Sequence, residues 1–268
     1  MSSSKAWLAR QKIDQYVIKA NREGYRSRAA YKLMQLSDRV KPKLLRPGAV
    51  AIDLGAAPGS WSQVMVKHGM RVVGCDLLPF EPLEGSDFVQ GDFRDEAVQQ
   101  QLLALLDGQK ADMVVSDISP DRSGLASLDG ARICDYAEKS IEFSRQCLKP
   151  GGSFVCKLLQ CADLEPLMQR LKPCFGKGAI ARLPPATRQK SKEVYFLGRN
   201  WDPKAIRQQL GSGRLVLTFG TRSSSQEDSV TLSQWVCVPI CARESLAVSN
   251  KIVPGFLCIV PAVRTFKP

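Results

Sequence analysis

The sequence predicts a doubly wound α/β fold, an open and mostly parallel sheet with helices on both faces. Three observations predict it. From Pro47-Gly48 to about residue 200, short β-rich runs alternate with longer helical patterns. Runs such as Val50-Ala51-Ile52-Asp53-Leu54 and Met113-Val114-Val115-Ser116-Asp117 are apolar up to an acid at or near the end, as central strands covered on both faces are. The 268 residues, 44% hydrophobic and 24% charged, suffice for one large core with an appendage.

In chain order, residues 5–22 are polar and basic with scattered apolar positions (Trp7, Leu8, Ile13, Tyr16, Val17), the pattern of a surface helix or arm. Ser27 reads as the N-cap of a short helix, Arg28 to Leu36. A strand over Ala49–Leu54 leads to a helix over Trp61–His68, and strands follow at Arg71–Asp76 and Asp87–Gln90. A helix over Glu96–Leu106 precedes the strand Asp112–Asp117, and a long helix over Leu128–Leu148 precedes the strand Ser153–Leu158. A helix over Leu164–Leu171 and strands at Ala179–Leu183 and Val194–Gly198 complete seven strands. Beyond residue 200 come Ser223-Ser224-Ser225, three cysteines and no sustained periodicity. The expected organisation is a basic arm (1–26), an α/β domain (27–200) and an extension (201–268) that either forms a small β-rich element or stays partly disordered.

Composition excludes several classes. No stretch reaches the ~18 uninterrupted apolar residues of a membrane helix, and Lys5, Arg10, Lys12 and Asp14 break up any secretory leader. Nine cysteines is an odd number, and Cys75, Cys134, Cys147 and Cys156 lie inside apolar runs where a reduced, buried thiol is expected. With one histidine, His68, and no Cys-x-x-Cys, no metal site is expected, nor a Ser-His or Cys-His mechanism unless His68 supplies it. The net charge is +12, and residues 1–32 hold eight Lys/Arg against two acids, half of the excess. A basic arm ahead of a nearly neutral body points to a polyanion, most simply nucleic acid.

The first strand ends Asp53-Leu54-Gly55-Ala56-Ala57-Pro58-Gly59-Ser60-Trp61, directly before a helix. In an open α/β sheet, ligands bind outside the carboxyl ends of the strands. A small-residue turn there lets backbone approach a ligand, and the next helix presents free N–H groups. It is not the Gly-x-Gly-x-x-Gly fingerprint, and Pro58 removes a donor that a pyrophosphate cradle would need. The second strand ends at Asp76, placed to accept from ribose hydroxyls. The third ends Gln90-Gly91-Asp92-Phe93, a carboxylate for an exocyclic amino group beside an aromatic ring. Three successive strands ending in acids at one rim describe an adenosyl pocket without a phosphate reader, which is S-adenosylmethionine. A lysine closing an apolar strand, Lys157, is costly unless paired or functional. It neighbours Asp117, either as a structural ion pair or as part of a site.

The segments Ser27-Arg28-Ala29-Ala30-Tyr31-Lys32-Leu33, Asp53 to Trp61, Cys75-Asp76-Leu77-Leu78-Pro79, Gln90-Gly91-Asp92-Phe93-Arg94-Asp95 and Ser191-Lys192-Glu193-Val194-Tyr195 together resemble FtsJ/RlmE-type ribosomal RNA 2′-O-methyltransferases, over roughly residues 20–200. The resemblance implies a Rossmann-like class I methyltransferase fold and a Lys-Asp-Lys-Glu tetrad at Lys32, Asp117, Lys157 and Glu193. It places cofactor contacts at Gly59, Trp61, Asp76, Asp92 and Asp117, to which the loop and rim add Asp53, Gly55 and Phe93. It implies a uridine ribose in ribosomal RNA within the nearly assembled large ribosomal subunit as substrate. Three departures stand out: Ser119-Pro120-Asp121 for Ala-Pro-Asn, Ser191-Lys192-Glu193 for Ser-Arg-Glu, and the tail beyond 200.

A lysine is almost wholly protonated at neutral pH. A second cation and exclusion of water oppose that charge while carboxylates favour it. Lys157 is therefore expected either to accept the ribose proton or, as ammonium, to stabilise the alkoxide. Base N-methylation would call for an Asn/Asp-Pro-Pro-aromatic loop, which Asp117-Ile118-Ser119-Pro120 is not. Carbon methylation would call for a nucleophilic cysteine, and Cys156 should face away from Lys157. RNA phosphates are expected to meet Arg10, Lys12, Lys19, Arg22, Arg26 and Arg28 in the arm and Arg188, Lys190 and Lys192 in a second basic loop. The alternatives are 2′-O-methylation of a tRNA or mRNA cap, or a non-catalytic RNA-binding assembly factor. A monomer is expected, in bacterial cytoplasm or alternatively the mitochondrial matrix.

Overall fold

The computed structural model describes residues 12–204 apart from 82, 121–122, 177–179, 183–185 and 188–190, with backbone alone at 180–182. Arg10, Arg188, Lys190 and the extension beyond residue 204 lie outside the described residues. Two helices, α1 (Gln15–Glu23) and α2 (Ala29–Asp38), precede the sheet. Then follow β1 (Val50–Leu54), α3 (Ser60–Lys67), β2 (Arg71–Asp76), β3 (Ser86–Gln90), α4 (Glu96–Ala104) and β4 (Ala111–Ser116). The long helix α5 (Ala126–Cys147) runs directly into β5 (Leu148–Leu159), and α6 (Leu164–Leu171), β6 (Ile180–Arg182) and β7 (Glu193–Arg199) close the domain.

The seven strands form one sheet in the order β3-β2-β1-β4-β5-β7-β6. The first five are parallel, and β7 runs antiparallel to both β5 and β6. The order reverses between β1 and β4, so the crevice beyond their carboxyl ends is where such a sheet takes a ligand. Alternation along β1 sends Val50, Ile52 and Leu54 into a core shared with α4, α5 and α6. Ala51 joins a second core on the opposite face, with Leu33 and Leu36 of α2 and Trp61, Val64 and Met65 of α3. Both faces of the strand are therefore covered, which is why its residues are apolar without a polar side.

Within the described residues, the stretch 12–26 ahead of α2 packs against the domain. Asp14 caps α1 by accepting from the backbone of Tyr16 and Val17, and Ala20 packs with Tyr31 and Ala186. Tyr31 donates its hydroxyl to Glu23 (2.8 Å), and Gln35 donates to the hydroxyl of Tyr16 (3.1 Å). Arg28 forms an ion pair with Asp14 and donates to the carbonyl of Ala186, joining α1 to the chain ahead of β7. Arg28 already has helical φ and ψ (−61° and −16°), and Ser27 acts as the cap of α2 by accepting from Ala29 N (3.1 Å). The Ser27 hydroxyl also accepts from the hydroxyl of Ser60 (2.7 Å), stitching α2 to α3.

At the far edge, Phe175 lies flat against the backbone of β7. Its ring is 5.4 Å from Phe196 and 5.2 Å from Trp201, and a Cβ on Gly198 would come within 2.6 Å of its ring atoms. Gly198→Ala should therefore destabilise the domain by roughly 1–3 kcal/mol through overpacking. Urea unfolding checks this, and an unchanged midpoint would show that the ring has room to move.

Candidate functional site

The carboxyl ends of the parallel strands open on a cavity of about 540 Å³ lined by the turn after β1, the ends of β2 and β3, the segment after β4 and one side of α5. Gly55, in the left-handed region (φ 75°), starts that turn, and its N–H and that of Ala56 both donate to the carbonyl of Cys75. A Cβ there would lie 2.6 Å from the side chain of Ile118, so only glycine lets the turn pass beneath the segment after β4. Gly59, also left-handed (φ 97°), caps α3, and Arg26 closes over it. The Arg26 guanidinium donates to Pro58 O (2.9 Å) and lies 5.4 Å over the ring of Phe80.

Among the described residues, four carboxylates line the cavity, Asp76, Asp92, Asp117 and Asp135, with two guanidiniums, Arg94 and Arg132. Asp76 is fixed by the N–H groups of Ala57 and Leu78, both 2.9 Å from its oxygens. Asp92 is held by Arg94, whose hydrogen bonds pull its carboxyl below the usual carboxylate range. Cys75, Leu77, Ile118, Phe93 and Tyr136 supply apolar walls. Such a lining suits an adenosyl group bearing a sulfonium and an ammonium, and it opposes a pyrophosphate.

Next to this cavity, beyond Asp117, stand two buried lysines. Lys157, on β5, is 7% exposed and points to the face opposite Cys156, which packs in the core beneath α5. Its ammonium donates to the carbonyl of Asp117 (2.7 Å) and lies 3.3 Å from Oδ1 of the same residue. Lys32, from α2, is 9% exposed and donates to Oε2 of Glu193 (2.8 Å). Tyr195 links the two pairs. It stands opposite Lys157 in the β5–β7 register and donates its hydroxyl to Asp117 Oδ1 (3.1 Å). Its ring lies 5.6 Å beneath the ammonium of Lys32. Burial and the Asp117 carboxylate push the Tyr195 phenol well above its ordinary range, so it remains a donor. Residues 32, 117, 157 and 193, distant in sequence, thus converge on one rim of the sheet.

Tyr195 carries no role in the sequence reading, although it lies two residues after Glu193 on a strand and so shares its face. The same period-2 rule would have found it. Arg132, Asp135 and Tyr136 also went unforeseen, because nothing in a helical pattern says which turn of α5 reaches a cavity.

Three residues expected to contact the cofactor are not among those lining this cavity. The Asp53 side chain is wholly buried on the α3 side of the sheet, where it accepts from the Ser62 hydroxyl (2.6 Å). Gly59 lies under Arg26 and Phe80. The Trp61 indole donates to Ala29 O (2.9 Å) and packs 6.0 Å from Tyr195, bracing α2 against the sheet. Gly55, Asp76, Asp92, Phe93 and Asp117 do line the cavity. Of the expected phosphate contacts, Arg28 is committed to Asp14 and Ala186, and Arg26 to Pro58 and Phe80. Lys12, Lys19, Arg22 and Lys192 are exposed, with Lys19 and Arg22 beside Glu23. His68, at the C-terminal end of α3, shares a hydrogen bond with Val64 O.

The FtsJ-like methyltransferase profile matches residues 25–201. A Ribosomal RNA large subunit methyltransferase E from Chromobacterium violaceum is 45% identical over 200 residues, covering 74% of this chain and 96% of that protein. One of the same name from Neisseria gonorrhoeae is 44% identical over 201 residues, covering 74% and 96%. The crystal structure of a Plasmodium falciparum protein described as a ribosomal RNA methyltransferase superposes with a TM-score of 0.59 at 27% identity, covering 66% of this chain and 98% of that one.

Asp53 also predicts how stability varies with pH. Burial, with Asp117 and Asp76 nearby, pushes its carboxyl up to about 7. The folded chain then holds this proton more tightly than the unfolded chain. Asp53 therefore contributes most below the unfolded carboxyl's pKa near 3.8, and that contribution is lost as pH rises through 7. Between pH 4 and pH 8, Asp53→Asn should remove a decline on the order of 3 kcal/mol from the unfolding free energy relative to the parent. Parallel pH profiles for parent and variant in urea unfolding would contradict this.

Proposed function

This chain belongs to the FtsJ-like methyltransferase family, and on that premise we propose that it transfers a methyl group from S-adenosylmethionine to the 2′-hydroxyl of a uridine ribose in large-subunit ribosomal RNA, on the assembled subunit. The observation that carries this reading is Asp117, which lines the cavity with its neighbours Ile118 and Ser119 while holding the ammonium of Lys157. The relatives' name, ribosomal RNA large subunit methyltransferase E, supports the choice of RNA. A bacterial cytoplasm is the compartment the reading implies.

S-adenosylmethionine supplies a methyl on a sulfonium, already a good leaving group. The chain's own task is to align the ribose oxygen and to stabilise charge on it. Alignment of two reactants in attack geometry contributes roughly 7–11 kcal/mol. An ammonium carries three donors. Lys157 directs one to the carbonyl of Asp117 and is ion-paired with its carboxylate at 3.3 Å, which leaves donor capacity for the ribose oxygen. In that role it steadies the developing alkoxide, and the hydroxyl proton leaves to solvent. Glu193 holds Lys32 and Tyr195 holds Asp117, so the two cations keep their spacing without touching each other's counter-ion. Lys32 then positions the nucleotide.

Lys157→Ala should bind S-adenosylmethionine as the parent does, yet lose about 100-fold or more of the single-turnover methylation rate. Parent-like turnover in that variant would remove Lys157 from the chemistry. On the RNA side, reversing the charges of Lys12, Lys19 and Arg22 together should weaken RNA binding and flatten its salt dependence by roughly 0.7–0.9 in log–log slope per lost phosphate contact. Cofactor affinity should not move. Equal loss of RNA and cofactor binding would indicate that α1 only supports the fold.

A further inference from the structure

The turn between β3 and α4 carries a device that the reaction itself does not require. Asp92 is gripped by its neighbour but one: Arg94 donates its backbone N–H to Oδ1 (3.0 Å), its Nε to Oδ1 (3.0 Å) and Oδ2 (3.1 Å), and its Nη2 to Oδ2 (2.6 Å). The guanidinium is also pressed on the ring of Tyr136 of α5, 4.5 Å from its centroid. All three side chains line the cavity. The turn is fixed from below, since Asp95 N donates to Asp92 O (2.9 Å) and Gln99 Nε2 to Phe93 O (3.0 Å).

A carboxylate accepts about four hydrogen bonds, two on each oxygen. The backbone N–H of Arg94 takes Oδ1, Nη2 takes Oδ2 and Nε is shared between the two, so three donors occupy the four acceptor directions and one remains. An acceptor fixed in this way recognises an N–H and repels a carbonyl. Were Arg94 loose, its guanidinium could swing out and donate to a carbonyl instead.

We infer that Arg94 is a specificity-determining positioning residue, which acts through Asp92 to make the cavity read the exocyclic amino group of adenine and reject a 6-oxo purine. This rests on the cofactor reading above. Fork and stacking together prevent the carboxylate from rotating and the arginine from replacing it as the reader. The charge of Arg94 alone would not do so, because a lysine gives a point charge without the planar fork.

The test is calorimetric affinity for S-adenosylhomocysteine and its deaminated counterpart, S-inosylhomocysteine, with the full-length chain. The parent should prefer the amino compound by about tenfold or more. In Arg94→Met and in Arg94→Lys the preference should fall to about threefold or less, while methylation kcat at saturating cofactor stays within about twofold and KM for the cofactor rises. Should Arg94→Met fail to fold, Arg94→Lys and Tyr136→Leu carry the same comparison. Equal weakening of both compounds would overturn the inference and make Arg94 merely structural. Full preference in Arg94→Lys would overturn it too, because charge without the fork would then suffice. A parent that binds both compounds equally refutes the inference and leaves the cofactor reading standing, whereas a parent that binds neither refutes both.

Discussion

Two lysines lie almost out of reach of water at one rim of the sheet, and the surrounding structure is arranged so that neither is left uncompensated. An isolated buried ammonium costs several kcal/mol, and removal of one partner from a buried pair is severely destabilising. Each lysine here has its own carboxylate, Glu193 for Lys32 and Asp117 for Lys157. Tyr195 stands between the pairs, with its ring under one ammonium and its hydroxyl on the other's counter-ion. This arrangement cannot be assembled locally. It needs α2 seated on the sheet, β7 antiparallel to β5, and the segment after β4 folded over the turn after β1.

Those requirements explain features that otherwise look unrelated. Trp61 and the Ser27–Ser60 contact seat α2, and Gln63 accepts from Arg26 N and donates to Gly24 O to fix the link before it. Arg28 extends the same bracing to α1 and to the chain ahead of Glu193. A residue that reads as a phosphate ligand by charge is thus part of the frame that holds Lys32. Lys12, just before α1, and Lys19 and Arg22 on it remain exposed, so this basic surface and the tetrad share one support.

The alternation of strands and helices was legible in the sequence because a strand covered on both faces has no polar side, and a helix between two such strands has one. All seven expected strands are present, with ends shifted by a few residues where Gly and Pro flank them, as at Pro150-Gly151-Gly152 inside β5. Of the tetrad, the residues alone singled out only Lys157 beside Asp117, because a lysine closing an apolar strand is conspicuous; Lys32 and Glu193 came from the family resemblance. How deep an acid lies behind the rim was harder to read. Asp53 and Asp76 share one face of the sheet, since Asp53 pairs with Gly74, but Asp53 sits inside its strand under Ser62 of α3, whereas Asp76 ends its strand at the cavity. The α5 wall and the Arg94 fork depend on tertiary placement, for which no short-range pattern exists. The fate of Arg26 and Arg28 was hidden for the same reason, since charge says nothing of partners 14 or more residues away.

The reaction is defined by where the methyl group goes. Large ribosomal subunits incubated with the protein and isotopically labelled S-adenosylmethionine can be digested to nucleosides and resolved by mass spectrometry. The account predicts label in 2′-O-methyluridine. Label in a base-methylated nucleoside, or in none, would contradict it.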